Sequence, residues 1–355
     1  MDTIKHMLRV TLFGSANAAR AFNPATDIPS LAGKTILITG AAGDLGRQTA
    51  IELIRHGRPK RVYIADLPRS DEEKDALIQR IHLEACAGGD VSVSASASAS
   101  LDVAGGVQGE QRESRTEIRF LELDLGSFES VRRCAESFLA REEYLDILIL
   151  NAGVIRVAPG TTGEGFEVHF GVNYLGHALL GRLLAGVLVR TADRDGGSDV
   201  RVVVVSSEGY LFAPEGGVDF ELVRTDCAGL SYSTRYGQSK VALLGLMKSL
   251  STAYPGIKTV AIHPGRILTG MARSLQAESL LAWVTKPIAP LFCVDVSTGV
   301  RNHLWAATSG DVVSGTYYEP VGVVGKLEGV IVEDEGFVGR LKEWTDEALK
   351  GVVGI

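Results

Sequence analysis

Six short runs rich in valine and isoleucine recur along the chain, and no other feature of the sequence constrains the fold as strongly. The runs occupy 35–39, 61–65, 118–123, 145–150, 200–205 and 258–262. Longer segments with helical periodicity lie between them, at 46–56, 127–141, 168–190 and 236–253. Continuous apolar strands that alternate with helices are typical of a parallel sheet covered by helices on both faces, since the connections are right-handed. The pattern therefore predicts a doubly wound α/β fold with a parallel sheet of about seven strands.

The domain organisation follows from where this alternation stops. Residues 1–30 are predicted to form an N-terminal extension, and 31–355 a single domain whose last helix lies at about 337–350. Inside this domain, residues 87–116 are rich in serine, alanine and glycine and contain no aromatic residue. Such a composition buries too little apolar area to order a segment, so we interpret 87–116 as a flexible surface insertion.

Composition excludes several classes of protein. Apolar residues make up 45% of the chain and charged residues 22%, as is usual for a globular protein with a sizeable core. The formal net charge of −7 argues against a general nucleic-acid surface, which needs clustered lysine and arginine. The four cysteines include no C-x-x-C pair, so we predict reduced thiols, no metal site and no disulfide framework.

Targeting and membrane signals are absent from the sequence. The first residues lack the basic start and apolar core of a signal peptide, and no apolar run reaches the ~18 residues that a spanning helix requires. We therefore expect a cytoplasmic protein without a membrane span. The apolar stretch 280–292 is broken by two prolines, and we interpret it as a cover over a pocket, with Trp283 and Phe292 in an apolar lid.

A glycine-rich loop, TGAAGDLG at 39–46, joins the first strand to the first helix. Gly40, Gly43 and Gly46 lie where open backbone N–H groups and the helix dipole favour an anion. The second strand ends at Asp66, 20 residues after Gly46, a position from which an acid reaches an adenosine ribose. Turn glycines and a capping aspartate would explain either feature alone, but together they predict a dinucleotide site.

A second motif, YGQSK, places Tyr236 and Lys240 four residues apart, on one face of a helix. A nearby ammonium favours phenolate and lowers a pKa that is about 10 in water, which would give an acid–base group at neutral pH. The alternative is an exposed tyrosine beside a solvated lysine. Ser207 follows the strand VVVV, and residues 151–153 (NAG) follow the strand LDILIL. Ligands of open α/β sheets bind at these carboxyl ends of strands, so the motifs together favour an active site.

In this order, the motifs resemble those of short-chain dehydrogenases/reductases, and the resemblance runs from about residue 30 to about 350. Further matching motifs are LDL at 123–125, GVNYLGH at 171–177 and HPGRILT at 263–269. Two longer segments, EGFEVHFGVNYLGHALL and LWAATSGDVVSGTYYEPVG, are similar to the retinol-dehydrogenase-like and protochlorophyllide-reductase-like branch. The resemblance implies a Rossmann-type fold and an NAD(P)-dependent oxidoreductase.

The resemblance also implies roles for the catalytic residues. Tyr236 would give or take the proton at the substrate oxygen, and Lys240 would lower its pKa and hydrogen-bond the nicotinamide ribose. Ser207 would hydrogen-bond the substrate oxygen, whereas Ser206 would be structural. Asn173 would hold a water molecule that connects Lys240 to solvent.

The implied cofactor-binding residues fall into three groups, and no metal is implied. The phosphates would lie on Gly40, Gly43, Leu45 and Gly46; the adenosine against Asp66, Asp124, Asn151, Ala152 and Gly153; and the nicotinamide end against Tyr236, Lys240, Pro264, Ile267 and Thr269. His263, beside the Pro264 turn, is predicted to be a packed histidine rather than a base.

Two carboxylates bear on how the cofactor binds. The usual family loop has a glycine at the position of Asp44, whereas here that glycine lies one residue earlier, as Gly43. Since a carboxylate near a diphosphate costs Coulomb energy and a helix cap gains about 0.5–1 kcal/mol, we expect Asp44 to cap the helix and turn from the phosphates. Asp66 can accept from a ribose 2′-hydroxyl and repels a 2′-phosphate. The first arginine after it is Arg69, so NAD(H) is predicted over NADP(H).

The leading hypothesis is an enzyme that interconverts a carbonyl and an alcohol on a small, lipophilic or polyketide-like molecule. Tyr210 and Phe212 are candidate walls of its pocket. A catalytically silent cofactor-binding scaffold or sensor is a second hypothesis, and reduction of an activated double bond or epimerisation by the same site is a third. The identity of the substrate, and whether the chain forms a homodimer or a homotetramer, stay open.

Overall fold

The computed structural model describes residues 22–87, 115–267, 294–327 and 331–352, and within them one sheet of eight strands organises the chain. The strands are β1 Thr35–Thr39, β2 Arg61–Asp66, β3 Glu117–Glu122, β4 Ile147–Leu150, β5 Arg201–Val205, β6 Lys258–Ile262, β7 Tyr317–Glu319 and β8 Val323–Val324. They lie in the order β3-β2-β1-β4-β5-β6-β7-β8, and all neighbours are parallel except β7 and β8. The strand order reverses between β1 and β4, which is where open α/β sheets bind ligands.

Seven longer helices lie in the described ranges, six between strands and one after β8. They are α1 Asp44–Glu52, α2 Asp71–Cys86, α3 Phe128–Leu139, α4 Gly176–Ala192, α5 Tyr232–Ala253, α6 Arg301–Thr308 and α7 Glu335–Ala348. A π-helical turn, Leu53–Gly57, continues α1, and another, Phe170–Leu175, leads into α4.

Alternate residues of each central strand point to opposite faces of the sheet. Both faces are therefore apolar, and a layer of helices covers each of them. Leu37 of β1 is buried in a core with residues of α3, α4, α5 and α7. Its neighbours Ile36 and Ile38 are buried in a second core with residues of α1, α2 and α6. Every residue of β1 is buried. The predicted doubly wound α/β fold is confirmed.

The observed elements refine the predicted boundaries. The six predicted strands are all present, but the short β7 and β8 were not predicted individually. Helix α5 begins at Tyr232, four residues before the predicted start, because the Ser231 hydroxyl accepts a hydrogen bond from the Thr234 backbone N–H and caps it. The segments 88–114 and 268–293, with the expected insertion and lid, lie outside the described residues.

Within the described ranges, one helix is long and apolar enough to cross a membrane: the continuous stretch Phe170–Ala192, which includes α4. Its apolar window is 72% buried inside the protein. Leu179, Leu180 and Leu184 of this helix are fully buried in the first core. The apolar character of α4 is therefore accounted for by packing against the sheet.

Candidate active site

A continuous cleft runs along the carboxyl ends of β1, β4, β5 and β6. One end is a cavity of about 650 Å³ beside the glycine-rich loop, and the other is a cavity of about 610 Å³ beside Tyr236 and Lys240. Leu45, Asn151, Gly153 and Val154 line both cavities. The two predicted motifs therefore belong to one site.

The glycine-rich loop fits tightly against the chain after β4, and its glycines are needed for this approach. Gly40 has a φ of +67°, and a Cβ there would lie 2.8 Å from the Cα of Ala152. A Cβ on Gly46 would lie 2.5 Å from the main-chain oxygen of Gly40. Gly43 is the N-cap of α1 and lines the cleft. The loop thus brings bare backbone and a helix N-terminus to the cleft, as the phosphates of a dinucleotide require.

The expected cap by Asp44 is wrong, because Gly43 holds the N-cap position without a side-chain hydrogen bond and Asp44 is the first helical residue. The Asp44 carboxylate lies 4.0 Å from the Arg47 guanidinium and its side chain is 40% exposed. A carboxylate in the first turn still interacts favourably with the helix dipole. Asp44 lines the cavity beside the loop and has not turned away from it.

Asp66 lies at the end of β2 and forms the far wall of the same cavity. One carboxylate oxygen accepts from the Ala42 backbone N–H at 2.9 Å, and the other accepts from Leu67 N–H at 2.9 Å. The Arg69 guanidinium lies 3.5 Å from this carboxylate and also lines the cavity. Asp124 lines it as well, with its carboxylate held by the Gly126 N–H.

Residues 151–153 form the floor between the two ends of the cleft. The Asn151 side chain donates to the Thr39 carbonyl oxygen at 2.8 Å, and the backbone N–H groups of Asn151 and Ala152 both donate to the Thr39 hydroxyl. The Asn151 amide oxygen lies 3.2 Å from Nε2 of His303, on α6. Sequence reasoning missed His303, since no motif connects it with a residue so far away along the chain.

Tyr236, Lys240 and Ser207 meet at the other end of the cleft. Tyr236 and Ser207 line the same cavity, and the Ser207 Oγ accepts from the Gly209 N–H at 3.1 Å. Lys240 Nζ donates to the Val205 carbonyl oxygen at 3.1 Å and lies 5.4 Å from the centroid of the Tyr236 ring. The Ser206 hydroxyl also lines this cavity, and it donates to the Lys240 main-chain oxygen at 2.9 Å.

Burial dominates the acid–base properties of this pair. It raises the pKa of Tyr236 to about 12, against a lowering contribution from the Ser207 hydrogen bond. It lowers the pKa of Lys240 to about 8, because a buried ammonium loses hydration. The predicted Tyr236 pKa near neutrality is therefore wrong for the protein without cofactor, because burial outweighs the effect of Lys240 and Tyr236 is a neutral phenol.

Asn173 is fully buried in the π-helical turn before α4. Its side-chain oxygen accepts from the Val154 N–H at 2.7 Å, and its side-chain nitrogen donates to Val154 O and to the Ser239 hydroxyl. A Cβ on Gly153 would lie 3.1 Å from the Asn173 side-chain oxygen and 3.7 Å from Lys240 Nζ. Asn173 and Lys240 therefore both lie against Gly153, and the role of Asn173 in holding a water molecule stays a prediction.

The chain after β6 closes the end of the cleft that contains Tyr236 and Lys240, which we call the reaction end. Pro264 and Ile267 line the cavity, whereas Thr269 lies outside the described residues. His263 is buried, and burial lowers its pKa to about 4, as expected of a packed neutral histidine. The described residues contain no group of three side chains that could hold a metal ion.

The chain is similar to several known proteins, although no protein-family model matches it. A Schizosaccharomyces pombe protein, "Uncharacterized oxidoreductase C736.13", is 35% identical over 327 residues, which cover 90% of this chain and 86% of the relative. The Aspergillus calidoustus protein "Short-chain dehydrogenase/reductase drtF" is 32% identical over 337 residues, covering 91% and 96%. The chain belongs to the short-chain dehydrogenase/reductase family.

Other members of the family agree with this assignment. Mouse "Retinol dehydrogenase 14" is 33% identical over 290 residues, covering 81% of this chain and 77% of the relative. A solved structure of an uncharacterised Mycobacterium paratuberculosis protein has a TM-score of 0.61 and 26% identity, covering 92% and 97%. The Pseudomonas aeruginosa RhlG/NADP complex, at 21% identity and a TM-score of 0.56, covers 84% and 98% and shows the same fold. The chain is therefore an NAD(P)-dependent oxidoreductase acting on CH–OH or C=O groups.

Proposed function

We propose that this oxidoreductase interconverts a carbonyl and an alcohol on a small lipophilic molecule, with Tyr236 as the acid–base group. The observation that carries the proposal is the meeting of the Tyr236 hydroxyl, the Ser207 hydroxyl and Lys240 in one cavity. This cavity opens into the one formed by the glycine-rich loop. NAD(P), when bound along the cleft, supplies the hydride for reduction or accepts it in oxidation.

The protein's own groups account for the proton transfer. In the direction of reduction, negative charge develops on the substrate oxygen, and Tyr236, a neutral phenol, is the proton donor placed to neutralise it. The Ser207 hydroxyl lines the same cavity as Tyr236 and is the second group placed to hydrogen-bond that oxygen. The Lys240 ammonium stabilises the phenolate that remains, because opposite charges attract strongly in a poorly hydrated site.

The walls of the reaction end support a lipophilic substrate. Ile155, Phe212 and Tyr232 line the cavity, and Phe212 is 48% exposed. Among the described residues, one carboxylate lines this cavity: Glu208, which is paired with Arg266 and so is not free to bind a cationic substrate. Pockets for small molecules are lined mainly by apolar and aromatic side chains, so the apolar part of this wall favours a lipophilic substrate.

The function is tested by turnover of a substrate panel, measured as the change in reduced-nicotinamide absorbance. The panel contains aliphatic and aromatic aldehydes, ketones, the matching alcohols and α,β-unsaturated ketones, each with both cofactors. We expect turnover of the carbonyl–alcohol pairs, with apolar members preferred. Saturated ketones as the sole products of the unsaturated ketones would show double-bond reduction instead. Cofactor binding without turnover of any member would show a silent scaffold.

We further propose NAD(H) over NADP(H), because the Asp66 carboxylate lines the adenosine end and repels a 2′-phosphate. Arg69 lies 3.5 Å from Asp66 and is held by it. Replacing Asp66 with asparagine keeps an oxygen for the Ala42 N–H but removes the charge. The ratio of kcat/KM for NADP(H) to that for NAD(H) is expected to rise at least about tenfold.

Steady-state kinetics with both cofactors measures this preference. Asp71→Asn is the matched control, since Asp71 is exposed on the first turn of α2 and does not line the cleft. It should leave the ratio unchanged. A tenfold preference of the unmodified protein for NADP(H) would contradict the charge argument.

A further inference from the structure

His177, one turn beyond Asn173, is fully buried between the two ends of the cleft and has no part in the proton transfer described above. Both of its ring nitrogens are hydrogen-bonded. Nδ1 lies 2.8 Å from the main-chain oxygen of Asn173, and Nε2 lies 2.9 Å from the Thr39 hydroxyl. The same hydroxyl accepts from the backbone N–H groups of Asn151, at 2.9 Å, and Ala152, at 3.0 Å.

The chemistry of these groups fixes the direction of each hydrogen bond. A carbonyl oxygen only accepts, so the proton of the His177 ring is on Nδ1. Nε2 of the neutral ring then accepts, and the Thr39 hydroxyl donates its single proton to it. The other acceptor within reach of that proton, the Ile149 carbonyl oxygen, is farther away, at 3.5 Å. Burial lowers the pKa of His177 to about 4, so the ring is neutral at neutral pH.

These bonds connect the floor of the cofactor cleft with the catalytic end. They run from the N–H groups of Asn151 and Ala152 through Thr39 and His177 to the Asn173 carbonyl. Asn173 is also held through its side chain, which bonds to Val154 of the same floor. The turn that carries Asn173 is π-helical, with the Gly176 N–H donating to the Gly171 oxygen five residues back. Such turns occur frequently at functional sites. In this one, the His177 ring is hydrogen-bonded to the Asn173 carbonyl oxygen.

We propose that His177 is a positioning residue. As a single neutral tautomer protonated at Nδ1, its ring couples the Thr39 hydroxyl to the Asn173 carbonyl. This coupling fixes Asn173 relative to the floor formed by residues 151–153. It keeps Asn173 beside Lys240 and keeps the backbone under the cofactor in place. The proposal rests on the function proposed above, because Asn173 and Lys240 belong to that reaction site.

The tautomer is measured directly by ¹⁵N NMR of the full chain with labelled histidine at pH 7. The signals of His177 are assigned by their loss in His177→Phe, or by their shift in Thr39→Val, which removes the donor to Nε2. We expect a protonated Nδ1 and an unprotonated Nε2 whose chemical shift moves in Thr39→Val. A protonated Nε2, or a doubly protonated ring, would overturn the proposal even if His177→Phe does not fold.

Three substitutions separate positioning from packing. His177→Asn places an amide near Nδ1 only, His177→Gln places one near Nε2 only, and His177→Phe keeps the volume without either bond. If the coupling needs both nitrogens, each variant lowers kcat about tenfold to a hundredfold. Each also raises the cofactor Kd, measured by fluorescence, while the KM for the carbonyl substrate stays within about twofold because the substrate walls are untouched.

Leu184→Ala is the control for a loss of core packing on the same helix, since Leu184 is fully buried and far from these bonds along α4. It should lower the Tm and leave kcat and the cofactor Kd unchanged. A His177→Phe protein with the original kcat and cofactor Kd would show a packing role only and overturn the proposal. If the proposed function fails instead, the unmodified protein has no carbonyl turnover, while the His177 tautomer and the effect on the cofactor Kd are still observed.

Discussion

Tyr236→Phe is expected to lower kcat by about 10²- to 10⁴-fold and to leave the Kd of the cofactor within about twofold. The substitution removes only the hydroxyl, so the acid–base group is lost while the ring remains. The ring itself is closely packed: a Cβ on Gly209 would lie 2.5 Å from its Cε1, and the His169 ring lies edge-on with its centroid 6.1 Å away. Phenylalanine preserves these contacts, and we expect no change in fold.

Two measurements check this result: steady-state kinetics with a substrate from the panel, and cofactor fluorescence in the absence of substrate. Tyr254→Phe is a suitable control, because Tyr254 caps the far end of the same helix and is remote from the cleft. Its kcat should match that of the unmodified protein. Full turnover by Tyr236→Phe would show that another group moves the proton.

Much of this site could be predicted from the sequence because its residues belong to local patterns. A buried strand must be continuously apolar, and polar residues directly after it, such as Asn151 and Ser207, necessarily lie at one edge of the sheet. Tyr236 and Lys240 share a face because they are four residues apart on a helix. The family resemblance supplied roles for these positions, and the structure brings them together in one cleft.

The sequence-based predictions that are wrong or missing concern properties that depend on the three-dimensional surroundings of a residue. The pKa of Tyr236 was expected near 7 from its lysine alone, but burial of the hydroxyl outweighs that interaction and raises it to about 12. Asp44 was expected to be a cap, yet the cap is the residue that adopts extended backbone before the helix, and this is Gly43, with φ −76° and ψ 168°. His303 contacts Asn151 only because α6 packs against β5, β6 and α1, which no sequence spacing reveals.

Acid is expected to destabilise the fold well above the pH at which carboxylates titrate. His177, His263 and His303 are all buried, and burial lowers the pKa of each to about 4. In the unfolded chain a histidine has a pKa of about 6.5, so between these values the unfolded state binds more protons and stability increases with pH. Stability is therefore complete above about pH 6.5 and is lost as the pH falls toward 4. Each fully expressed shift corresponds to on the order of 3 kcal/mol.

Urea denaturation at a series of pH values measures this effect as the slope of the unfolding free energy against pH. Near pH 5 the slope should correspond to the uptake of roughly two to three protons on unfolding. His303→Gln should reduce this uptake by about one proton, whereas Leu184→Ala should lower stability equally at every pH and leave the slope unchanged. An uptake well below one proton between pH 6.5 and 4.5 would mean that these rings are protonated in the fold. For His177 that state would give Nε2 a proton, and the Thr39 hydroxyl could no longer donate to it.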